Sequence, residues 1–249
     1  MPMKLGLPRQ LISIAALIGF WQLAAILIDS RKLPSPRTVL LALTQAITDG
    51  ALPYHVGVTL ARVAISFLVS MLIGIGIGIV LGRRPRLDQF FNGWLGLLLN
   101  VPVLVLIVLC YVWLGLTETA AILAVTLNKI PLVAVTVREG ARALNPEYLE
   151  MAEVFRFGRA KTLRHVILPE LAPYIFAAAR SGLALIWKIV LVVEAFGRSN
   201  GVGFQINTDF HNFDVPDILA YTVAFITIIQ VIEFAIMRPI ERRANQWRR

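Results

Sequence analysis

Four ionisable side chains interrupt long apolar stretches of this sequence. Lys129 lies in the middle of one stretch, and Arg180, Lys188 and Glu194 lie in another. Arg180 and Lys188 are eight residues apart, which places them on roughly the same face of a helix. Because a charge exposed to lipid costs at least ~2.5–3.5 kcal/mol, we expect these groups to face water, a polar path or a partner charge.

Two interpretations of these charges remain open. A cationic lining attracts anions, so the basic residues could line a path for a small anion. Alternatively, Lys188 pairs with Glu194 or with a carboxylate of a partner chain. For Arg180, which lies nearer the inner side, a structural role is favoured, and for Lys129 the sequence does not choose.

The composition indicates which elements hold these residues. The chain has 249 residues, of which 57% are hydrophobic and 16% are charged. Typical soluble domains have roughly 45–50% apolar and about 25% charged residues, so a soluble globular protein is close to excluded. A spanning helix needs about 20 apolar residues. The sequence predicts an all-α membrane protein with six spans, over residues 11–28, 58–81, 91–113, 119–137, 172–195 and 218–237.

The basic residues predict the orientation of these spans. Lys and Arg number 24 against 15 Asp and Glu, a formal charge of +9. If the N-terminus is cytoplasmic, sixteen of the 24 lie in cytoplasmic segments, four in external segments and four within spans. This asymmetry follows the positive-inside rule, so both termini are expected in the cytoplasm. It also accounts for the basic surplus without a nucleic-acid partner.

The sequence divides into an N-terminal part and a core, and each contains a long connecting segment. Residues 1–57 contain the first span and an external segment, in which Val39, Leu40, Leu43 and Ile47 have the spacing of a short amphipathic helix. Residues 58–249 form the predicted core, with a cytoplasmic loop over 138–171. The external loop over 196–217 combines glycines with aspartates and predicts a polar outer rim.

The cytoplasmic loop predicts an amphipathic helix. Asn145-Pro146-Glu147 is a helix start, because Asn caps, Pro suits the first turn and Glu favours the helix dipole. Tyr148, Met151, Ala152 and Phe155 then follow on one face. Gly158 can end this helix, and a second, basic helix is expected to stop at Leu168-Pro169. Such a helix either docks into a groove of a partner or rests on lipid.

Residues for catalysis are few. The single cysteine, Cys110, excludes an internal disulfide and a thiolate metal cluster, and the three histidines show no ligand spacing. No histidine or carboxylate pair lies within a predicted span, which disfavours an intramembrane enzyme. The sequence has no G-x-x-x-x-G-K-[ST] motif, so an ATPase that drives transport must be another polypeptide.

The cytoplasmic loop resembles the EAA loop of ABC importer permeases. Glu150-Met151-Ala152 and Val166-Ile167-Leu168-Pro169 fall at the family positions, with Met151 in place of the first alanine and Val166 in place of the isoleucine. Arg156 takes the position of the usual glycine, and Gly158 lies two residues later, so either the bend is displaced to Gly158 or Arg156 makes a contact that the family lacks. Other matches are similar to the nitrate, taurine and sulfonate branch of these permeases. They are Leu33-Pro34-Ser35-Pro36, His55, Thr59-Leu60-Ala61-Arg62-Val63, Val192-Val193-Glu194-Ala195 and Gly201-Val202-Gly203-Phe204.

The resemblance implies a type I importer permease in a bacterial inner membrane. Two copies would pair with two cytoplasmic ABC ATPase subunits, which bind ATP and Mg, and would receive substrate from a periplasmic or lipid-anchored binding protein. This chain would bind no cofactor and would not be an enzyme. The implied ATPase-coupling residues are Glu150, Met151, Ala152, Phe155, Arg156, Gly158, Leu168 and Pro169.

The substrate implied by the resemblance is a small anion such as taurine, another sulfonate or nitrate. An organic carboxylate or a nitrogen heterocycle stays open. The alternative is a self-contained channel or secondary transporter, which would not need a docking helix and for which the sequence has no convincing inverted repeat.

Overall fold

A computed structural model describes residues 7–28, 30, 32–237 and 239. The described residues form helices and no strand, so the all-α prediction is confirmed. The α-helices are α1 (Leu7–Ile28), α2 (Pro36–Thr48), α3 (Ala51–Arg83), α4 (Pro85–Asn100), α5 (Val103–Leu114), α6 (Glu118–Arg142), α7 (Pro146–Val154), α8 (Arg159–Thr162), α9 (Leu168–Gly197), α10 (Val202–His211) and α11 (Val215–Ile232). Two π-helical segments cover Leu163–Ile167 and Glu233–Met237.

Four helices of the described chain are long and apolar enough to cross a membrane. They are Ala51–Arg83, Glu118–Arg142, Arg159–Gly197 and Val215–Ala235. The apolar part of α1, Ile12–Ile28, is shorter, and α4 and α5 pass the same test only as a bent pair. The described residues therefore do not reproduce six full-length straight spans.

The predicted third span over residues 91–113 is broken. The axes of α4 and α5 differ by 93°. Val101 is extended, with φ −64° and ψ 123°, and Pro102 precedes the first turn of α5. Proline lacks an amide proton and disfavours the helical conformation of the residue before it, so one straight helix cannot pass this point.

The centre of the bundle is a close, parallel packing of α3 on α6. Three glycines of α3 lie four residues apart, and a Cβ atom on any of them would overlap α6. At Gly74 it would lie 2.6 Å from the Cβ of Val133, and at Gly78 it would lie 2.7 Å from the carbonyl oxygen of Ala134. At Gly82 it would lie 2.5 Å from the Cβ of Ala141. Small residues at this spacing let two membrane helices approach closely.

We call the end of the bundle at which α3 and α6 finish the inner end, and the opposite end the outer end. At the outer end, α2 packs on α3 and α11 and begins at Ser35, whose hydroxyl accepts a hydrogen bond from the amide of Thr38 at 3.3 Å. A helix is therefore present where the sequence predicts the external amphipathic helix. The indole of Trp21 in α1 donates to the carbonyl of Pro34 at 3.0 Å.

At the inner end, α6 continues to Arg142, beyond the predicted loop start at residue 138. Arg138 is buried and donates to Asp88 at 3.0 Å and to Asn92 at 2.8 Å, which ties α6 to α4. The predicted division between residues 57 and 58 lies within α3. Several basic residues of the orientation argument lie outside the described residues, namely Lys4, Arg31, Arg238, Arg242, Arg243, Arg248 and Arg249.

Candidate functional site

The helix predicted after Asn145 is present as α7 at the inner end. The side-chain oxygen of Asn145 accepts a hydrogen bond from the amide of Glu147 at 3.0 Å, and Pro146 occupies the first helical position. This confirms the predicted helix start. Ala152 is 2% exposed and faces the bundle, so α7 is anchored through one small side chain and the half-buried Leu149.

The remaining apolar residues of α7 face away from the bundle. Tyr148 is 46% exposed, Met151 42% and Phe155 68%. These three residues, which we call the inner apolar face, are spaced by three and four positions and share one exposed side. Ala152, which was predicted on the same face, is buried instead. Glu150 is exposed on the same helix. A contiguous exposed apolar patch with a charged neighbour is typical of an interaction site.

The end of α7 explains the unusual residue at position 156. The amide of Phe157 donates to the carbonyl of Ala152 at 2.8 Å, and that of Arg156 donates to the carbonyl of Glu153 at 2.9 Å. These two bonds form a Schellman motif, in which the residue at the Arg156 position is left-handed and usually glycine. Arg156 has a φ of 53°. The bend therefore lies where the EAA pattern has glycine, although the residue is arginine.

Gly158 does not end α7. It precedes the first turn of α8 with φ −67° and ψ 162°, a conformation that any residue adopts. A Cβ atom on Gly158 would meet no atom within 4 Å. The expectation that the bend is displaced to Gly158 is wrong, because the left-handed residue is Arg156.

The helix predicted to stop at Leu168-Pro169 does not stop there. The α8 helix, the π-helical segment Leu163–Ile167 and α9 form one apolar helix over Arg159–Gly197. The amide of Leu168 donates to the carbonyl of Leu163, five residues back. Pro169 lies in the first turn of α9, where its missing amide proton leaves the wider π turn intact. Leu168 and Pro169 thus join α8 to a membrane-spanning helix without a break, whereas α7 is separated from α8 by the left-handed bend at Arg156.

Glu194, one of the predicted path residues, lies in a partly buried ion cluster at the outer end. Arg62 of α3 is 4% exposed and donates to Glu194 of α9 at 2.7 Å. It also binds both carboxylate oxygens of Glu118, at 2.6 and 2.8 Å, and the carbonyl of Asn200 at 2.8 Å. Arg198 donates to the same Glu118 at 2.6 Å. Two arginines and two glutamates therefore neutralise each other between α3, α6, α9 and the following loop.

Glu194 also caps the helix that follows this loop. Its carboxylate accepts from the amide of Gly203 at 2.9 Å and lies 2.9 Å from the hydroxyl of Thr59. That hydroxyl accepts from the amide of Val202 at 2.8 Å, and Nδ1 of His55 accepts from the amide of Gly201 at 3.0 Å. The first amides of α10, which have no partner within their own helix, are thus satisfied by side chains of α3 and α9.

Gly201 is required for this arrangement. Its φ is 109°, and a Cβ atom there would lie 2.3 Å from the carboxyl carbon of Glu194. Sequence reasoning placed Glu194 on the substrate path or next to Lys188, and it did not single out Arg62 as a partner. The available signal was the occurrence of Arg62 and Glu194 in separate apolar stretches, since two opposite charges in spans are expected to pair.

The three basic path candidates do not converge with Glu194. Lys129 is 4% exposed, and its ammonium forms no hydrogen bond or ion pair within the described residues. Arg180 lies 3.4 Å from Glu233, and its side chain is 51% exposed. Lys188 is exposed on α9. Arg180 and Lys188 thus share an open face of one helix, whereas Lys129 lies inside the bundle.

The outer rim contains a carboxylate whose pKa is raised. Asp209 of α10 is 5% exposed, and its Oδ2 is buried without a hydrogen-bond partner among the described residues. Burial raises the pKa of Asp209 to about 6, the hydrogen bond from Gln205 opposes this, and the negative charges of Asp217 and Asp214 add to the rise.

Comparisons with known proteins agree with this architecture. The family model for "Binding-protein-dependent transport system inner membrane component" matches residues 70–244. The putative aliphatic sulfonates transport permease protein SsuC of Bacillus subtilis (strain 168) is 28% identical over 247 residues, covering 98% of this chain and 89% of the relative. The taurine transport system permease protein TauC of Escherichia coli (strain K12) is 28% identical over 242 residues, covering 94% and 88%.

A third relative and a solved structure extend the comparison. The nitrate import permease protein NrtB of Synechocystis sp. (strain ATCC 27184 / PCC 6803 / Kazusa) is 24% identical over 220 residues, covering 85% of this chain and 80% of the relative. A chain of the inward-facing MetNI methionine ABC transporter superimposes with a TM-score of 0.67 at 21% identity, covering 79% of this chain and 97% of that one. At this identity the superposition shows the fold alone.

Proposed function

Since this chain belongs to the family of binding-protein-dependent transport system inner membrane components, we propose that it forms, with a second copy of itself, the path of an ATP-driven importer for a small anion. The inner end faces the cytoplasm in this proposal, and both termini lie there. ATP and Mg are bound by two separate ATPase subunits. An external binding protein delivers the substrate to the outer end.

The observation that carries the proposal is the inner apolar face of α7. Tyr148, Met151 and Phe155 are exposed at one end of a helix bundle that is otherwise held together by its own core. An exposed apolar helix face that fits a groove is a known mode of partner recognition. In the complex, this face docks into the ATPase subunit, and Glu150 forms a polar contact at its edge.

The geometry also provides a route for the motion. Phe157 is hydrogen-bonded to Ala152, and the chain then runs through α8 and the π-helical segment into α9 without a break. A displacement of α7 by the ATPase is therefore transmitted to α9, which carries Arg180 and Lys188. Packed elements that move as units are the usual carriers of such a change.

The substrate class rests on charge. The names of three relatives refer to aliphatic sulfonates, taurine and nitrate, and each of these substrates carries an anionic group. Lys188 gives the open face of α9 a positive charge, and Arg180 on the same face lies 3.4 Å from the carboxylate of Glu233. In a homodimer, two such faces would line one central path and attract anions.

The coupling proposal is tested by substitutions on α7. Phe155→Ala should lower uptake by vesicles that contain the complete transporter, because it removes apolar area from the docking face. Phe90→Ala is a matched control, since Phe90 is 67% exposed on α4 and lies outside the docking face. Glu150→Lys should uncouple transport from ATP hydrolysis while the protein stays folded in the membrane. Normal uptake by both Phe155→Ala and Glu150→Lys would contradict the proposal.

The path proposal has a separate test. Lys188→Met should reduce uptake and substrate-stimulated ATP hydrolysis, because it removes one positive charge from each half of the path. Lys32→Met, at an exposed position of the outer end, serves as the control. If Lys188→Met leaves both activities unchanged, Lys188 does not line the path.

A further inference from the structure

An apolar groove lies between α3, α4 and α6, close to the inner end. Its volume is about 560 Å³, and every residue that lines it is apolar or glycine, among them Gly76, Val80, Leu87, Trp94 and Pro131. A Cβ atom on Gly76 would meet no atom within 4 Å, so the floor of the groove is open. Because α3 and α6 are membrane-spanning helices, the groove lies at the depth of lipid tails.

A second cavity adjoins the groove and is basic. It has a volume of about 640 Å³ and lies between the end of α3 and the α7–α8 segment. Arg83, Arg84 and Arg159 line it together with one carboxylate, that of Glu153, which gives a net charge of +2. Within the part of the chain that the structure describes, none of these three guanidinium groups forms a hydrogen bond or an ion pair.

The two cavities are neighbours along α3. Val80 lines both of them. Arg84 directly follows the last residue of α3, four residues after Val80, and it lines the basic cavity. A ligand with an apolar tail in the groove would therefore place its head next to Arg84.

We infer that these cavities bind one anionic phospholipid of the inner leaflet. One acyl chain occupies the groove, and the phosphate contacts Arg83, Arg84 and Arg159. Basic pockets between membrane helices on the cytoplasmic side recognise anionic head groups in this way. The charge complementarity selects this occupant, because a soluble anion would leave the groove empty and a zwitterionic lipid would leave the positive charge unbalanced.

The inference goes beyond the proposed transport function, since it names a ligand and a site that transport does not require; it rests on that proposal only for placing the inner end at the cytoplasmic leaflet. It also places the lipid head group between α7 and the end of α3. Ala152 and Glu153 of α7 form one wall of the basic cavity, and Arg83 and Arg84 form another. A bound head group therefore holds α7 against the end of α3, below the inner apolar face.

Trp94 lines the groove and reports on its occupant. The full-length chain is reconstituted with lipids whose acyl chains carry bromine, which quenches tryptophan fluorescence. The part of the quenching that is present in the wild-type chain and absent in Trp94→Phe is assigned to Trp94. Brominated phosphatidylglycerol should quench Trp94 at a several-fold lower mole fraction than brominated phosphatidylcholine. The double variant Arg84→Gln/Arg159→Gln should remove this preference, and Gly76→Leu should abolish quenching by either lipid.

Matched controls keep the test specific. Gly57→Leu lies on the same helix in equally open space outside the groove, and Arg37→Gln removes an exposed charge at the outer end. Neither should change the quenching. Equal quenching by the two lipids would overturn the inference, as would inorganic phosphate displacing the lipid at micromolar concentration. If Trp94 is protected from the brominated lipids only in a cross-linked dimer, the groove is covered by a second copy of this chain and the inference is overturned.

Discussion

Arg156 offers the sharpest test of the geometry at the end of α7. Its φ of 53° is left-handed, a conformation that costs a residue with a Cβ atom roughly 1–2 kcal/mol. Arg156→Gly removes this cost. It also increases the conformational entropy of the unfolded segment, which destabilises the folded state by about 0.4–1 kcal/mol. The midpoints of these two ranges differ by about 0.8 kcal/mol, so we expect the Schellman motif to become more stable by about 0.5–1 kcal/mol.

The assay is hydrogen exchange on the full-length chain in lipid. The amide of Phe157 is protected by its hydrogen bond to Ala152, so its exchange requires opening of the motif. A gain of about 0.5–1 kcal/mol corresponds to exchange that is roughly two- to fivefold slower. Gly158→Ala is the matched control, because Gly158 has an ordinary φ of −67° and open space around it.

Two results would refute this reasoning. Unchanged or faster exchange in Arg156→Gly would mean that position 156 is not the left-handed residue. Slower exchange in Gly158→Ala than in Arg156→Gly would place the helix end at Gly158. The proposed function predicts that the same variant transports less well. The exposed Arg156 borders the docking face, so its loss should weaken coupling to the ATPase even though the segment becomes more stable.

Three further outcomes follow from the fold. Arg62→Leu should destabilise the protein by about 3–5 kcal/mol in equilibrium unfolding, because it leaves the buried carboxylate of Glu194 without its cation; a loss below about 1 kcal/mol would contradict the ion cluster. Gly78→Leu should lower the unfolding temperature strongly, whereas Gly93→Leu, which enters open space, should not; similar effects would show that α3 and α6 are not in close contact. The raised pKa of Asp209, about 6 against 3.8 unfolded, means that the folded state keeps a proton that the unfolded state has lost, so stability should fall as pH rises from about 4 to 6. Asp209→Asn should remove that slope, and an unchanged pH profile in this variant would refute the assignment.

Local sequence signals predicted the features that depend on neighbouring residues. The Asn145 cap and the helices α2 and α7 follow from residue types and spacing over a few positions, and the structure contains them. The break between α4 and α5 was missed because the span was predicted from average hydropathy, and Val101-Pro102 does not lower that average. Pro102 itself was a signal for a break, since proline disfavours a helical conformation at the residue before it. The continuous helix through Pro169 was missed because a π-helical segment accommodates the proline.

Long-range features were harder to predict. Arg62 and Glu194 are 132 residues apart, and only the packing of α3 against α9 makes them partners. The glycines at 74, 78 and 82 did carry a readable signal, because small residues four positions apart mark a close helix contact.

The most direct test of the proposed function is site-specific photo-cross-linking from α7. A photoreactive side chain replaces Phe155 in one variant, Ala152 in a second and Phe90 in a third, each expressed with the proposed partner subunits. Phe155 is 68% exposed and Ala152 2% on the same helix, so the pair distinguishes the docking face from the buried face. The account predicts an adduct with the ATPase subunit from position 155 and none from 152 or 90. An adduct only with lipid or with a second copy of this chain would contradict it.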